Sequence, residues 1–516
     1  MEQQNLNTPA SAVPPVSEAN SPLYSPAQPL SPKFSIADGI FGWICLVLGF
    51  IFTRYAVTYA GGIYGGIFWA LTGAAAAVYT ALRKLPVSRR HIVVFGIMEL
   101  FCFVPFFCSN GFVNFLASCF SYLLLFYLAA SVSGAELFGK RFAADILGSV
   151  LARPFADYDK APRAAFSLFR GGRSKNLLFV LAGLAAAVPL TIVVVCLLMS
   201  SDAVFEGTMN KLFSNLPVIS GSIIWQLFFG ILVGMYLFGM MFAAGKRREP
   251  LPKRVPSYRI LPAPLAYTAV TPICVFYVVY LKIITEQLIS FSPASASPVS
   301  YSSFARRGFF ELCVVAVINL GVILFMQGLV RRNEGDKKPA ALKVYITVIA
   351  SLTLLIIATA FSKMLLYITE MGMTPLRIYT SWFMLVLAVA FILIIVLQYK
   401  DISFWKVMFG AFTVMFGVLC FGNVDGMIAS YNVSAFMDGK TQTLDYDVLI
   451  DCSVAAIKPL ERLCDDEEFC QTRPYGNGMA LNTMRTICED MNPSPAYFSI
   501  QRLDAERAAE KYGFGE

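Results

Sequence analysis

Positive charge in this chain gathers in every second connection between about eleven long apolar runs, and the connections in between are nearly free of it. That alternation marks a polypeptide threaded back and forth through a bilayer, because basic loops are retained in the cytoplasm. The runs fall at 39–57, 62–82, 91–108, 112–133, 177–199, 222–244, 265–286, 308–330, 342–361, 381–398 and 403–422. Each approaches the ~20 residues a helix needs to cross the hydrocarbon core, and apolar side chains surround each rather than forming a stripe. With the N-terminus inside, the cytoplasmic connections hold 26 Lys and Arg. The opposite ones hold seven: Arg54, Lys211, Lys282, Arg306, Arg307, Lys363 and Arg377. An odd number of spans then puts the C-terminus outside. The expected class is all-α, a polytopic helical bundle of about 11 transmembrane helices in a bacterial cytoplasmic membrane, with a small helical extracytoplasmic domain at the C-terminus.

Composition agrees. The chain is 57% hydrophobic and 14% charged, against roughly 25% charged for a soluble domain. Its net charge of +8 conceals an asymmetry: residues 423–516 carry 8 basic and 16 acidic side chains, which leaves 33 and 17 in the first 422. The basic excess belongs to the membrane part, where it orients helices and meets anionic lipid headgroups. Nucleic acid is not needed as a partner. Residues 1–36 are rich in Pro, Ser, Asn and Gln and read as a disordered cytoplasmic tail; 37–422 form the membrane domain; 423–516 form the acidic outer domain. Within the membrane domain, 134–175 is a cytoplasmic segment. There Leu137, Phe138, Phe142, Ile146, Leu147 and Val150 share a helix face, either at the leaflet surface or against the bundle ends. Residues 362–380 either extend two helices beyond the outer surface or form a re-entrant hairpin, and extension is the preferred reading.

Three stretches carry a family pattern: YSSFARRGFFEL at Tyr301–Leu312, FSKMLLYITEMGMTPLRIYTSWF at Phe361–Phe383, and NVDGMIASYN at Asn423–Asn432, followed by LDYDVLIDCSVAAIKPL at Leu444–Leu460. Together they resemble the bacterial multi-pass membrane proteins catalogued as domain of unknown function 4173, with sister family 4153. Met373, Val424 and Cys452 depart from the family's usual residues. The resemblance implies a multi-pass fold and no established activity, so it transfers no catalytic residue.

Several polar groups stand out from the apolar background. Arg306 and Arg307 break the charge rule at the outer start of a span; Arg307 and Glu311, four apart, share a helix face and can pair. Arg377 stands similarly before the tenth span, with Tyr367 and Glu370 near it in sequence. These six form a candidate outer cluster, either a site for a carboxylate, phosphate or lipid headgroup, or a structural ion-pair network that snorkels to phosphates. Inside the membrane, Glu99 is the costliest group if ionised and reads equally as a proton carrier or as a protonated bridge. Asn319, Gln327 and Gln226 are expected to bridge helices. Gly61-Gly62-Ile-Tyr-Gly65-Gly66 and Gly230 with Gly234 permit close helix approach, within the chain or between copies; the oligomeric state is left open.

Of twelve cysteines, Cys452, Cys464, Cys470 and Cys488 fall in the outer domain. Two disulfides are expected there, since cross-links would compensate a small core. The spacings suit no zinc site, His91 is the only histidine, and no metal or cofactor is expected. No nucleophile or acid/base set stands out either. Three functional classes remain: a transporter or lipid- or small-molecule-handling protein, a sensor or scaffold coupling the outer domain to an unidentified protein partner in the cytoplasm, and, least favoured, a membrane-embedded enzyme.

Overall fold

The computed structural model describes residues 34–59, 61–132, 154–155, 157–168, 191, 194–195, 198–214, 221–244, 261–290, 309–331, 338–441, 443–472, 474–492 and 494–514. Residues 1–33, most of the run at 177–199, the apolar stretch at 137–150, and both Arg306 and Arg307 lie outside the described residues.

Among the described residues the chain is helical without a strand. The membrane helices are α1 Ile36–Ile51, which ends in a π-helical turn Phe52–Ala56, then α2 Ile63–Leu82, α3 Arg89–Cys102, the short α4 Val104–Phe107, and α5 Gly111–Val132. After α6 Lys160–Ser167 and α7 Ala203–Ser214 come α8 Gly221–Ala244, α9 Ala263–Ser290, α10 Phe309–Leu329, α11 Ala340–Met371, α12 Pro375–Tyr399 and α13 Phe404–Phe421. The acidic domain follows as α14 Val424–Met437, α15 Tyr446–Asp451, α16 Ile457–Cys464, α17 Glu467–Thr472, α18 Pro474–Glu489 and α19 Ile500–Tyr512. Ten of these helical stretches are long and apolar enough to cross a membrane. They coincide with ten of the eleven runs; the other is the one at 177–199. Their outward faces carry bare apolar side chains, Phe276 at 72% and Val414 at 68% exposure among them. Only lipid makes such surfaces inexpensive.

Two apolar cores organise the bundle. One joins α1, α2, α3, α5, α6, α8, α13, α14 and the acidic domain. The other joins α9 to α12. In the first, α1 and α8 touch backbone to backbone: a Cβ on Gly49 would lie 2.0 Å from the Gly230 carbonyl oxygen and 2.5 Å from the Gly234 nitrogen. Small residues allow this approach, where dispersion between helices replaces the hydrophobic drive that lipid removes. The Gly230/Gly234 pattern is therefore used within the monomer. Gly62 and Gly66 are used likewise, each with a carbonyl oxygen (Ala496, Cys102) 2.2 Å from where its Cβ would stand. Thr53 Oγ1 donates to the Gln226 carbonyl at 2.7 Å, and Arg54 to the Gln226 side chain at 3.4 Å.

In the second core a polar ladder crosses three helices. Tyr277 donates to Asn319 Oδ1 at 2.9 Å, and Asn319 Nδ2 donates to Thr353 Oγ1 at 2.9 Å. Gln327 is half-buried on α10. Helix α11 runs unbroken to Met371, 32 residues or roughly 48 Å at 1.5 Å per residue. It outreaches the hydrocarbon core, so 362–380 extends two helices. The described part of 134–175, α6, packs on α1 and buries Ala161, Ala164 and Ala165 completely.

The start of α1 is fixed by a group that the run pattern hides. Asp38 is 1% exposed. It accepts from the Ser35 backbone N–H at 2.8 Å, from the Tyr79 hydroxyl at 2.8 Å and from Arg83 at 3.4 Å, which ties α1 to the end of α2. A buried carboxylate is tolerable when its lone pairs are taken in this way.

The cysteine expectation is corrected. No cysteines among the described residues lie at disulfide distance, and all four in the acidic domain are free. Cys452 is buried beside α14, the Cys470 thiol donates to the Cys464 carbonyl at 3.1 Å, and that of Cys488 faces the Ala505 carbonyl at 3.7 Å. The domain has core enough without staples, for Leu449, Ile457, Leu460, Leu463, Met484, Ala505 and Ala508 are fully buried. Burial also pushes the Cys452 and Cys464 thiols up to about 12, which starves them of the thiolate that disulfide chemistry needs.

Candidate functional site

The acidic domain is tied to the membrane helices by a polar knot around Asp425. Asn423 precedes α14 in a left-handed conformation (φ 46°), and its side chain caps the helix by accepting from the Gly426 N–H at 3.1 Å. This turn drives Asp425 inward, where it is 5% exposed. Asn110, in the connection before α5, donates from Nδ2 to Asp425 Oδ2 at 2.8 Å and to the Tyr379 hydroxyl of α12 at 3.1 Å. The oxygen of the Asn110 amide caps α5 by accepting from the Phe112 and Val113 N–H groups. Gln501 of α19 closes the circuit: it donates to Asn423 at 2.7 Å and accepts from the Ser109 hydroxyl at 2.8 Å. Helices of both cores and the acidic domain thus meet at one carboxylate.

Asp425 Oδ1 is buried with no hydrogen-bond partner among the described residues. Burial raises its pKa above the ordinary carboxylate range, against the opposing pull of the hydrogen bonds from Asn110 and Tyr379. A carboxyl whose folded pKa is raised binds a proton more tightly in the folded state than in the unfolded one. Its contribution is most favourable below the unfolded value of about 4 and is lost as pH rises through the raised folded value. Asp425→Asn keeps an acceptor for Asn110 and Tyr379 and removes the desolvated charge. It should raise the thermal midpoint at neutral pH and flatten its decline as pH rises above the unfolded value of about 4, read by intrinsic fluorescence in detergent. An unaltered pH slope would count against the knot as described.

At the opposite end of the same helices, an open apolar groove of about 210 Å³ runs between α2, α3 and α5. Its floor is made of small residues on α2 (Gly73, Ala76, Ala77, Ala81), with Phe95 and Leu125 as walls and His91 at the mouth. Gly73 lies close against α3: a Cβ there would stand 2.0 Å from Met98 Cε and 2.6 Å from Glu99 Oε1, side-chain ends that would have to move. Glu99 therefore sits behind the groove floor, its Oε1 buried without a hydrogen-bond partner among the described residues. Lys84 in the connection from α2 to α3, and Arg89 and Arg90 at the start of α3, are exposed and flank in sequence the lining residues Val87 and His91.

The residues of the sequence-derived outer cluster are only partly brought together. The Arg377 guanidinium lies 4.0 Å over the Tyr367 ring and donates to the carbonyls of Met371 and Gly372, which end α11. Glu370 and Glu311 are exposed, and no ion pair joins either to Arg377 among the described residues. No group of three or more metal-ligating side chains occurs among the described residues.

The profile of the family described as Domain of unknown function (DUF4153) matches residues 95–463. The chain belongs to this family. The motifs suggested family 4173, but the match falls on 4153. No curated protein and no solved structure matches the chain. The DUF4153 segment contains α5 to α16 and so both partners of the clasp that explains two of the motifs. Asn432 accepts from the Met373 N–H at 2.7 Å and donates to the Met373 carbonyl at 2.8 Å. That pins the α11–α12 turn onto α14, with Gly372 (φ 75°) against the Asn432 oxygen. The groove floor on α2 and the last helices of the acidic domain lie outside the DUF4153 match.

Asn110, Asp425, Asp38 and Gln501 are the polar residues that sequence reading passes over. Asp425 alone carried a signal, a carboxylate just past an apolar run inside the NVDGMIASYN motif.

Proposed function

We propose that this DUF4153 protein handles a lipid, holding an acyl chain of an anionic lipid in the groove between α2, α3 and α5. The observation that carries the reading is a small-residue apolar trough whose lining residues Val87 and His91 are flanked in sequence by exposed Lys84, Arg89 and Arg90, which supply a cationic rim in this reading. An acyl chain gains roughly 0.8 kcal/mol per methylene buried from water, but almost nothing on moving from lipid to an apolar groove. Selection must then come from shape and from the headgroup's charge, which the rim complements. The basic end faces the cytoplasm in this reading. The acidic domain is outside, a side supported by its packing on the charge-poor ends of the helices, at Gly62 and Ser109. The membrane is a bacterial cytoplasmic membrane, with the N-terminus inside.

Ala77→Trp fills the trough, whereas Arg89→Gln with Arg90→Gln discharges the rim. Lipid extracted from the detergent-purified protein and weighed by mass spectrometry should contain at least fivefold less anionic lipid per protein in the first variant. In the second it should have lost its headgroup preference. Equal lipid content in all three proteins would refute the reading.

A sensor or scaffold is the second reading, favoured by the Asp425 knot. A domain tied through one carboxylate to both cores transmits displacement to the spans, and through them to a cytoplasmic protein partner.

A further inference from the structure

A second cavity, of about 190 Å³, opens where the acidic domain meets the outer ends of α2 and α4. It differs in kind from the groove, because both charge signs line it. Arg502 of α19 and Asp490, just past α18, both face this one crevice, yet no ion pair joins them among the described residues. Arg502 is held back from closing on Asp490. Its Nε is bound to Glu506 at 3.0 Å and one terminal nitrogen to the Ser494 carbonyl at 3.2 Å. The other terminal nitrogen has no hydrogen-bond partner among the described residues, although the side chain is only 13% exposed. Asp490 makes no ion pair at all among the described residues.

The backbone around the crevice is also shaped rather than relaxed. Ser453, which lines it, takes a left-handed conformation at φ 52°. L-residues with a Cβ avoid that region unless their surroundings impose it, and such positions gather at ligand clamps. Gly61 (φ 86°) and Gly62 form the facing wall, the latter excluded from bearing a Cβ by the Ala496 carbonyl. The hydroxyls of Ser453 and Tyr497, which make no side-chain hydrogen bond among the described residues, add polar atoms to a lining that also holds Met491 and Phe498.

We propose that this crevice binds a small zwitterion, its acidic group on Arg502 and its ammonium on Asp490. The cavity falls below the 300–1,000 Å³ of sites for drug-sized ligands, which confines the occupant to an α-amino acid or to a headgroup bearing ammonium and phosphate. A guanidinium matches carboxylate and phosphate alike, so the two sources share one chemistry. The inference is independent of the groove: it concerns the other end of the helices and stands if the lipid reading fails.

Glycine and O-phosphoethanolamine are the probes, with acetate and ethanolamine as single-charge controls, titrated calorimetrically into the full-length protein in detergent. Each zwitterion should bind at least tenfold more tightly than either control. Asp490→Asn, at an exposed position with no hydrogen bond to lose, should weaken glycine at least tenfold, whereas Glu506→Gln, which frees the guanidinium, should not weaken it. Nanodiscs separate the sources. Glycine affinity that falls in phosphatidylethanolamine but not in phosphatidylglycerol discs assigns the crevice to a headgroup, and equal affinity in both assigns it to a free amino acid. Zwitterions binding no better than the controls, or an Asp490→Asn protein that binds glycine as the parent does, would overturn the proposal.

Discussion

Gly49→Ala should be the most damaging single-methyl change in the first core, costing about 3 kcal/mol, the upper end of what overpacking exacts. The reason lies in what the methyl meets. Its nearest neighbours, at 2.0 Å and 2.5 Å, are the Gly230 carbonyl oxygen and the Gly234 nitrogen. Reciprocally, a Cβ on Gly234 would meet the Cys45 carbonyl oxygen at 2.6 Å. All are backbone atoms of rigid helices, so no rotamer can relieve the contact and α1 must part from α8. Parting them also breaks the hydrogen bond from Thr53 to the Gln226 carbonyl. Gly96→Ala on α3 supplies the matched control: nothing lies within 4 Å of its Cβ, and alanine is the better helix former. The thermal midpoint of the purified protein should fall sharply for the first variant and hold or rise for the second. Equal midpoints would mean that the two backbones do not touch.

Asn432→Ala should cost about 2–4 kcal/mol, since it removes two hydrogen bonds and strands the N–H and C=O of a half-buried residue. The turn it releases has few other supports: Gly372 at φ 75° and the Arg377 guanidinium across the last carbonyls of α11. Asn432→Asp is the informative companion. It still accepts from the Met373 N–H but cannot donate to the Met373 carbonyl, and it places a charge among buried neighbours, so it should rescue little. Hydrogen exchange at the Met373 amide reads the clasp directly. Exchange should quicken in both variants while the amides of the Asn319 ladder hold their protection. Unchanged exchange at Met373 would contradict the clasp.

What could be read from the residues in order was largely local. The spans were legible because ~20 apolar residues in a row have one inexpensive environment. Arg377 and Tyr367 drew notice because a cation on the charge-poor side is conspicuous, and their pairing, ten residues apart on neighbouring helices, follows from the turn between them. The knot was not legible: Asn110 and Asp425 are 315 positions apart and Ser109 and Gln501 are 392 apart. Ser109 and Asn110 are loop residues and Asp425 and Gln501 first-turn helix residues, and nothing local joins them until the helices assemble. The same limit explains the cysteines. Four in one domain suggest two bridges by number, yet Cys452 and Cys488 face different helices, and number carries no direction. Gly230 and Gly234 were recognised as a contact surface, but their partner, Gly49, lies in another span and only packing names it.

Sidedness is the claim on which the rest turns, and labelling of single introduced cysteines with a membrane-impermeant maleimide tests it. Tyr475→Cys lies on the acidic domain, where the residue is 82% exposed, and Val87→Cys lies in the basic α2–α3 connection, 54% exposed. After subtraction of the parent protein's signal, Tyr475→Cys should label in intact cells and Val87→Cys only once the cells are permeabilised. Labelling of both positions from one side, or the reverse order, would contradict a bundle whose cationic end faces the cytoplasm and whose acidic domain stands outside.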